Sequence, residues 1–296
     1  MARRPLRCLA PLLVAFVAAC SAGEAVPATE SSITGTSVLP APTTTSTALT
    51  TTSSAAPPSS LAPRPEEVDA EVTVPDGESP FPAVVLVHGG SWVTGDPSIM
   101  RPLAEHLNEN GFLTVNTRYS LATLDGGAFP QAADDVACAV RYAAAHPDSD
   151  GSVTVIGHSA GAHIGALVAL MGDEYRDGCT LAGSGLPDRF VGLAGPYDIS
   201  RVGLATALFG GGPDQLPEVW EAGNPQRHTD ANPDLDALIM YGERDGLVTD
   251  SFAMEFTNAL TDSGNQTLLE MVEGARHNDM HDPDLVGDLI VTWLER

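Results

Sequence analysis

The run Gly157-His158-Ser159-Ala160-Gly161 sets a serine between two glycines at a spacing suited to covalent chemistry. A serine that attacks a carbonyl must stand clear on a sharp turn between a strand and a helix. Only small residues fit two places before and two places after it. The start of the helix behind it also favours developing negative charge. Alone, the pentapeptide is a weak signal, and a plain loop serine is its ordinary alternative. The apolar run Val153 to Ile156 before it and the helix-forming run after it make it a strong one.

Serine is a poor nucleophile at neutral pH and needs a base. Four histidines follow it: His163, His228, His277 and His281. His163 lies one turn into the following helix and reads as a partly buried helix residue. His228 comes too early, because in strand–turn–helix serine sites the acid precedes the histidine. His277 lies in a loop just past the strand-like run Thr267 to Val272 and is the expected base, with His281 as runner-up. Asp245, just past the run that ends at Tyr241, is the expected acid. It would fix the base's tautomer and stabilise its positive charge. Glu243 competes but stands closer to the strand, and Asp250 reads as the cap of the next helix.

A donor loop completes the set. His88-Gly89-Gly90-Ser91-Trp92 follows the apolar run Ala83 to Val87. Successive small residues let backbone N–H groups approach an oxygen on which charge develops. The N–H groups of Gly90, Ser91 and Ala160 are the expected donors, and His88 reads as a structural support of the loop. Trp92 is the one residue expected to wall a substrate pocket.

These residues need a scaffold that brings four loops to one edge. Val68 to Val74 alternates with period two and reads as an edge strand. Ala83–Val87, Phe112–Asn116, Val153–Ile156, Phe190–Leu193, Ala237–Tyr241 and Thr267–Val272 read as further strands. Pro102–Asn110, Ala132–Ala145, Ala160–Met171, Ser251–Asp262 and Pro283–Leu294 read as helices between them. Such alternation predicts an α/β domain with a mostly parallel sheet covered on both faces. About 40 residues between the fifth and sixth strands are left over for a small lid. Phe209-Gly210-Gly211-Gly212-Pro213 within it is no phosphate loop, since no Lys-Ser/Thr follows.

With these residues in view, the chain resembles bacterial α/β-hydrolases near the carboxylesterase, feruloyl-esterase and hormone-sensitive-lipase groups. His88 to Asp96 is similar to their HGGGW-x-x-GD segment. Asn116-Thr117-Arg118-Tyr119 and Phe129 to Val136 are similar to segments that come before their nucleophile. The likeness covers roughly residues 66 to 296. It departs at Ser91, which stands where the third glycine belongs; a serine N–H can still donate. The resemblance implies hydrolysis of a small-molecule carboxylic ester by Ser159, Asp245 and His277 without a cofactor. An amide hydrolase, arylformamidase-like or peptidase, would use the same three residues. A non-catalytic binding protein on this fold is the remote alternative.

The remaining features bound the setting. A net charge of −25 repels nucleic acid and anionic lipid surfaces. Residues 1–19 combine Arg3, Arg4 and Arg7 with a short apolar stretch, and read as a lipoprotein signal peptide. Val17-Ala18-Ala19-Cys20 resembles a lipobox, which makes Cys20 the lipidated residue; a plain signal peptide cut near Ala22 is the alternative. Of the 37 residues from 27 to 63, 24 are Ser, Thr or Pro. Residues 20–65 therefore read as a disordered tether. The catalytic domain, 66–296, is expected outside the cytoplasmic membrane, held by that lipid anchor. In such a compartment Cys138 and Cys179 are expected to pair, with two buried thiols as the alternative. No Cys/His cluster suggests a metal. Oligomeric state stays open.

Overall fold

Apolar side chains on both faces of a strand call for cover on both sides, and this governs the architecture. The computed structural model describes residues 68–123 and 127–296. The expected signal peptide, Cys20 and the tether lie outside the described residues. Seven strands form one sheet among the described residues: β1 Ala70–Thr73, β2 Phe81–Val87, β3 Leu113–Thr117, β4 Ser149–His158, β5 Arg189–Leu193, β6 Asp236–Gly242 and β7 Gln266–Val272. Their order is β1-β3-β2-β4-β5-β6-β7. Only β1 pairs antiparallel, against β3; all other pairs are parallel.

The strand alternation sorts β2 between two cores. Ala83, Val85 and Val87 face one, with the buried residues of α2 (Gln131–Ala145), α3 (Ala160–Met171) and α6 (Asp250–Asp262). Val84 and Leu86 face the other, with α1 (Arg101–Glu109) and α7 (Pro283–Leu294). The three-layer α/β expectation therefore holds, element by element. Every residue of α3 is buried, as befits a helix enclosed on all sides.

Several strand bounds differ from the expectation, β1 and β4 most of all. β1 is shorter than Val68–Val74, because past Thr73 the chain no longer pairs with β3. β4 begins four residues earlier than expected, at Ser149, where its partly exposed start pairs with Phe81 across a register shift. The insertion between β5 and β6 carries two short helices, α4 (Ala205–Phe209) and α5 (Pro217–Ala222), that no periodicity in the sequence marks. Phe129, at the entry to α2, holds Phe209 of this insertion edge-to-face, and Phe209 in turn packs on Trp220 of α5.

The Cys138–Cys179 disulfide is present and joins α2 to the segment after α3. Nearby, the buried Arg141 guanidinium donates to the carbonyls of Tyr175, Gly172 and Gly183, so the same segment is held by a second device.

Candidate active site

In a parallel sheet the strand C-termini share one edge, and functional loops gather there. β4 ends at His158 and α3 starts at Ala160, so Ser159 is the whole connection. Its backbone sits at φ 53°, ψ −117°, a region non-glycine residues avoid. The strain persists because its neighbours fix it. Ser159 N–H donates to Leu193 O at 2.9 Å, and His163 N–H donates to Ser159 O at 3.1 Å. A Cβ on Gly161 would collide with the carbonyl oxygen of Val87. That close approach of α3 to β2 explains the glycine at this place in the motif.

The structure brings Ser159, His277 and Asp245 together. Ser159 Oγ lies 2.8 Å from His277 Nε2, and His277 Nδ1 lies 2.7 Å from Asp245 Oδ2. The neutral imidazole that donates Nδ1–H to the carboxylate presents Nε2 as acceptor for the serine O–H. The other carboxylate oxygen accepts the N–H groups of Leu247 and Val248 at 2.8 and 2.9 Å. Burial alone would raise the pKa of Asp245, but the hydrogen bonds from His277, Val248 and Leu247 outweigh it and hold it below the usual carboxylate value. Asp245 is thus kept ionised beneath the imidazole.

The acid loop and the base loop are laced to each other. Arg244 N–H donates to Ala275 O at 2.8 Å and Glu243 N–H to Val272 O at 3.0 Å. Gly274 N–H donates to Glu243 Oε2 at 2.8 Å. Glu243, the rival acid, is therefore a brace of the loops rather than the partner of His277. His281 ends the 3-10 turn His277–His281 and stacks edge-on against His158, away from Asp245. His228 donates Nε2–H to Glu221 O on the insertion, at 3.0 Å, and is not the partner of Ser159. Asp250 does not cap α6 as expected: Thr249 occupies the cap position, and Asp250 is the first helical residue. There its carboxylate meets the positive end of the helix dipole without capping it.

The donor loop is held open by its own backbone. Gly90 lies at φ 133°, and a side chain there would run into Thr94 O. Val93 and Thr94 N–H groups donate back to Gly90 O at 3.2 and 3.1 Å. Ser91 and Trp92 follow with φ of 53° and 64°. Among the described residues, the N–H groups of Gly90, Ser91 and Ala160 donate to no carbonyl. His88 supports the loop as expected. Its ring stacks on Tyr119 at 4.5 Å, and Tyr119 O–H donates to His88 O.

Two cavities flank Ser159. One, of about 60 Å³, is walled by Trp92, Pro196, Val202, Val248 and Phe252. The other, of about 630 Å³, opens past Ser98, Asn278 and His281. Trp92 is thus a wall residue, though almost fully buried.

Two histidines matter more than the sequence suggested. His158, next to the serine, donates Nε2–H to His277 O at 3.0 Å, and burial pushes its pKa down to about 3. His163 is fully buried rather than partly so, with a pKa lowered by burial to about 4. Its Nδ1 accepts Trp92 Nε1–H at 3.2 Å, and its Nε2–H donates to Gly223 O at 2.8 Å. An unbroken apolar run around His163 is the one sequence signal of its burial. Nothing in the spacing marks its partners. Among the described residues, no group of three His, Cys, Asp or Glu side chains is placed to hold a metal ion.

The chain is similar to known esterases. The chain is 27% identical over 204 residues to the esterase LipC of Mycobacterium tuberculosis, covering 61% of this chain and 48% of that protein. It is 26% identical over 207 residues to the esterase LipQ of the same organism, covering 63% and 47%. It spans about half the length of these curated relatives. Among solved structures, a truncated carbohydrate esterase from gut microbiota superposes with a TM-score of 0.66 at 19% identity, covering 80% of this chain and 92% of that one. A propionate-bound thermophilic esterase from the Planctomycetes species Thermogutta terrifontis gives 0.62 at 19%, covering 79% and 93%. These likenesses show the α/β-hydrolase fold. The BD-FAE family model matches residues 71–260, well over half of the 296-residue chain, and the chain belongs to that family.

Proposed function

We propose that the protein is a serine esterase that cleaves small carboxylic esters through a covalent acyl-enzyme. The observation that carries this reading is the continuous chain from Ser159 Oγ through His277 to Asp245, with contacts of 2.8 and 2.7 Å. Ser159 attacks the ester carbonyl while His277 Nε2 takes its proton, and Asp245 stabilises the imidazolium formed. The N–H groups of Gly90, Ser91 and Ala160 bind the oxyanion, with Ala160 at the positive end of α3. His277 then protonates the leaving alcohol. Water repeats the sequence on the acyl-enzyme and frees Ser159.

The two cavities suggest the substrate's shape. The acyl chain enters the apolar 60 Å³ pocket, which holds only a short chain. The leaving group occupies the larger cleft, where Ser98, Asn278 and His281 offer polar contacts. A net charge of −25 favours neutral or cationic substrates over polyanions. An amide hydrolase would share every one of these residues, and side-by-side rates on matched ester and amide substrates decide between the two. A binding protein without catalysis is disfavoured by the intact set of residues. We further propose that Cys20 is lipidated and that the domain works at the outer face of the cell membrane, on the tether of residues 20–65. Mass analysis of the purified mature N-terminus tests that.

The decisive test of the chemistry is S159A. Turnover of p-nitrophenyl acetate should fall by several orders of magnitude. Labelling by a fluorophosphonate should disappear with it. Wild-type turnover in S159A would overturn the assignment.

A further inference from the structure

His163 contributes nothing to the proton path from Ser159 to Asp245, yet it is fully buried and makes two specific hydrogen bonds. Its partners belong to different segments. Trp92 lies on the donor loop, immediately after Ser91. Gly223 closes α5 in the insertion between β5 and β6. His163 itself stands on α3, four residues past the serine, and its own N–H bonds to Ser159 O. Three segments that shape the site therefore meet on one imidazole.

The roles of its two nitrogens are fixed. A carbonyl oxygen accepts, so Nε2 carries the proton that goes to Gly223 O. An indole N–H donates, so Nδ1 is the bare nitrogen that receives Trp92. One neutral tautomer satisfies both, and each partner is a poor one to lose inside the core. Trp92 needs this restraint. Its backbone is left-handed, at φ 64°, and its ring meets the His163 ring edge-on at 5.4 Å. The only other tie on this residue among the described hydrogen bonds is Trp92 O, which accepts Ala122 N–H at 2.8 Å.

We infer that His163 is a positioning residue: it latches the Trp92 indole, thereby holding the Gly90–Ser91 N–H groups and the wall of the small cavity in register with Ser159. The inference rests on the esterase reading for its catalytic consequence, but the latch itself does not. Breaking it displaces the oxyanion donors more than it alters ground-state binding. It also lets the Trp92 wall recede from a cavity of about 60 Å³.

The test compares wild type, S159A, W92F, H163F and W92F/H163F, each as the full chain and each shown to be folded by near-ultraviolet circular dichroism. W92F deletes the same bond from the other side while leaving His163 in place, so it serves if H163F does not fold. With p-nitrophenyl acetate, each single variant should lose roughly ten- to a hundredfold in kcat, as misplacement on the ångström scale does, with KM nearly unchanged. The double variant should be no worse than the poorer single one. The ratio of hexanoate to acetate turnover should rise in all three. Additive losses, a change confined to KM, or an unchanged chain-length ratio would overturn the latch. A purely structural histidine would lower the melting temperature and leave those three readouts alone. Independently of activity, the Trp92 indole N–H resonance, assigned by its loss in W92F, should exchange slowly in wild type and S159A and quickly in H163F. Equal protection in H163F overturns the latch even if S159A proves the site inert. Full turnover in S159A sinks the esterase reading instead, and the resonance then decides the latch alone.

Discussion

Lowering the pH should unfold this domain early, and the reason is histidine burial. His158 and His163 are at most 3% exposed, and burial lowers their pKa values from 6.5 to about 3 and about 4. The native state keeps both neutral. The unfolded chain protonates both as the pH drops through 6.5. The folded values lie below the unfolded ones, so the stability is complete above about pH 6.5 and is lost as the pH falls towards 4 and 3. Each group then costs ~1.4 kcal/mol per pH unit. Between pH 7.5 and 4.5 the pair removes about 5 kcal/mol, which rivals the whole stability of an ordinary domain. Burial lowers His88 and His281 as well, adding to the same slope. Carboxylates titrate in part of this window too, and the design must cancel them. Urea unfolding of wild type and H163Q at pH 7.5, 6.0 and 4.5 does so. The stability difference between the two proteins should shrink by about 2.5 kcal/mol across the series, because only one of them carries the titrating ring. Parallel stability curves would mean that His163 takes up its proton with equal ease in both states, and the account of a neutral buried imidazole would fail.

Two other perturbations follow from the same geometry. D245N leaves the hydrogen-bonding shape but removes the charge that sets the His277 tautomer. Its kcat on p-nitrophenyl acetate should fall by about three to four orders of magnitude with the fold intact, as read from unchanged circular dichroism. Replacing Cys138 and Cys179 together by serine opens a loop with a sequence separation of 41. Urea unfolding should show a loss of about 3–4 kcal/mol, and a loss below 1 kcal/mol would mean that the Arg141 hydrogen bonds carry that segment alone.

Much of the site was legible because its chemistry is written in short local runs. Gly157 to Gly161 must turn sharply, and Gly161 must lie against Val87 O, so the motif exposes both its place and its reason. Asp245 and His277 each stand just past an apolar strand in the sequence, and the structure brings both to Ser159. What the sequence concealed depends on contacts between distant segments. His163 looks like any helix residue until Trp92, 71 positions earlier, and Gly223, 60 positions later, close on it. His158 was visible only as a spacer in the motif, although it holds the backbone of His277 from 119 positions away. Glu243 and Asp245 could not be separated by type. In the structure, His277 with the N–H groups of Leu247 and Val248 takes Asp245, while Gly274 N–H takes Glu243. The short helices α4 and α5 escaped because five or six residues give too little periodicity to recognise.

The unequal cavities on the two sides of Ser159 have a consequence for what the protein can be used for in a cell. On the proposed reading, the narrow side inspects the small fragment that is transferred to the serine, while the wide side scarcely inspects the carrier that departs. Selectivity of that kind is one-sided. A single protein could strip the same short decoration from many carriers of different size and outline, and its range would be set by which carriers reach it rather than by which ones fit.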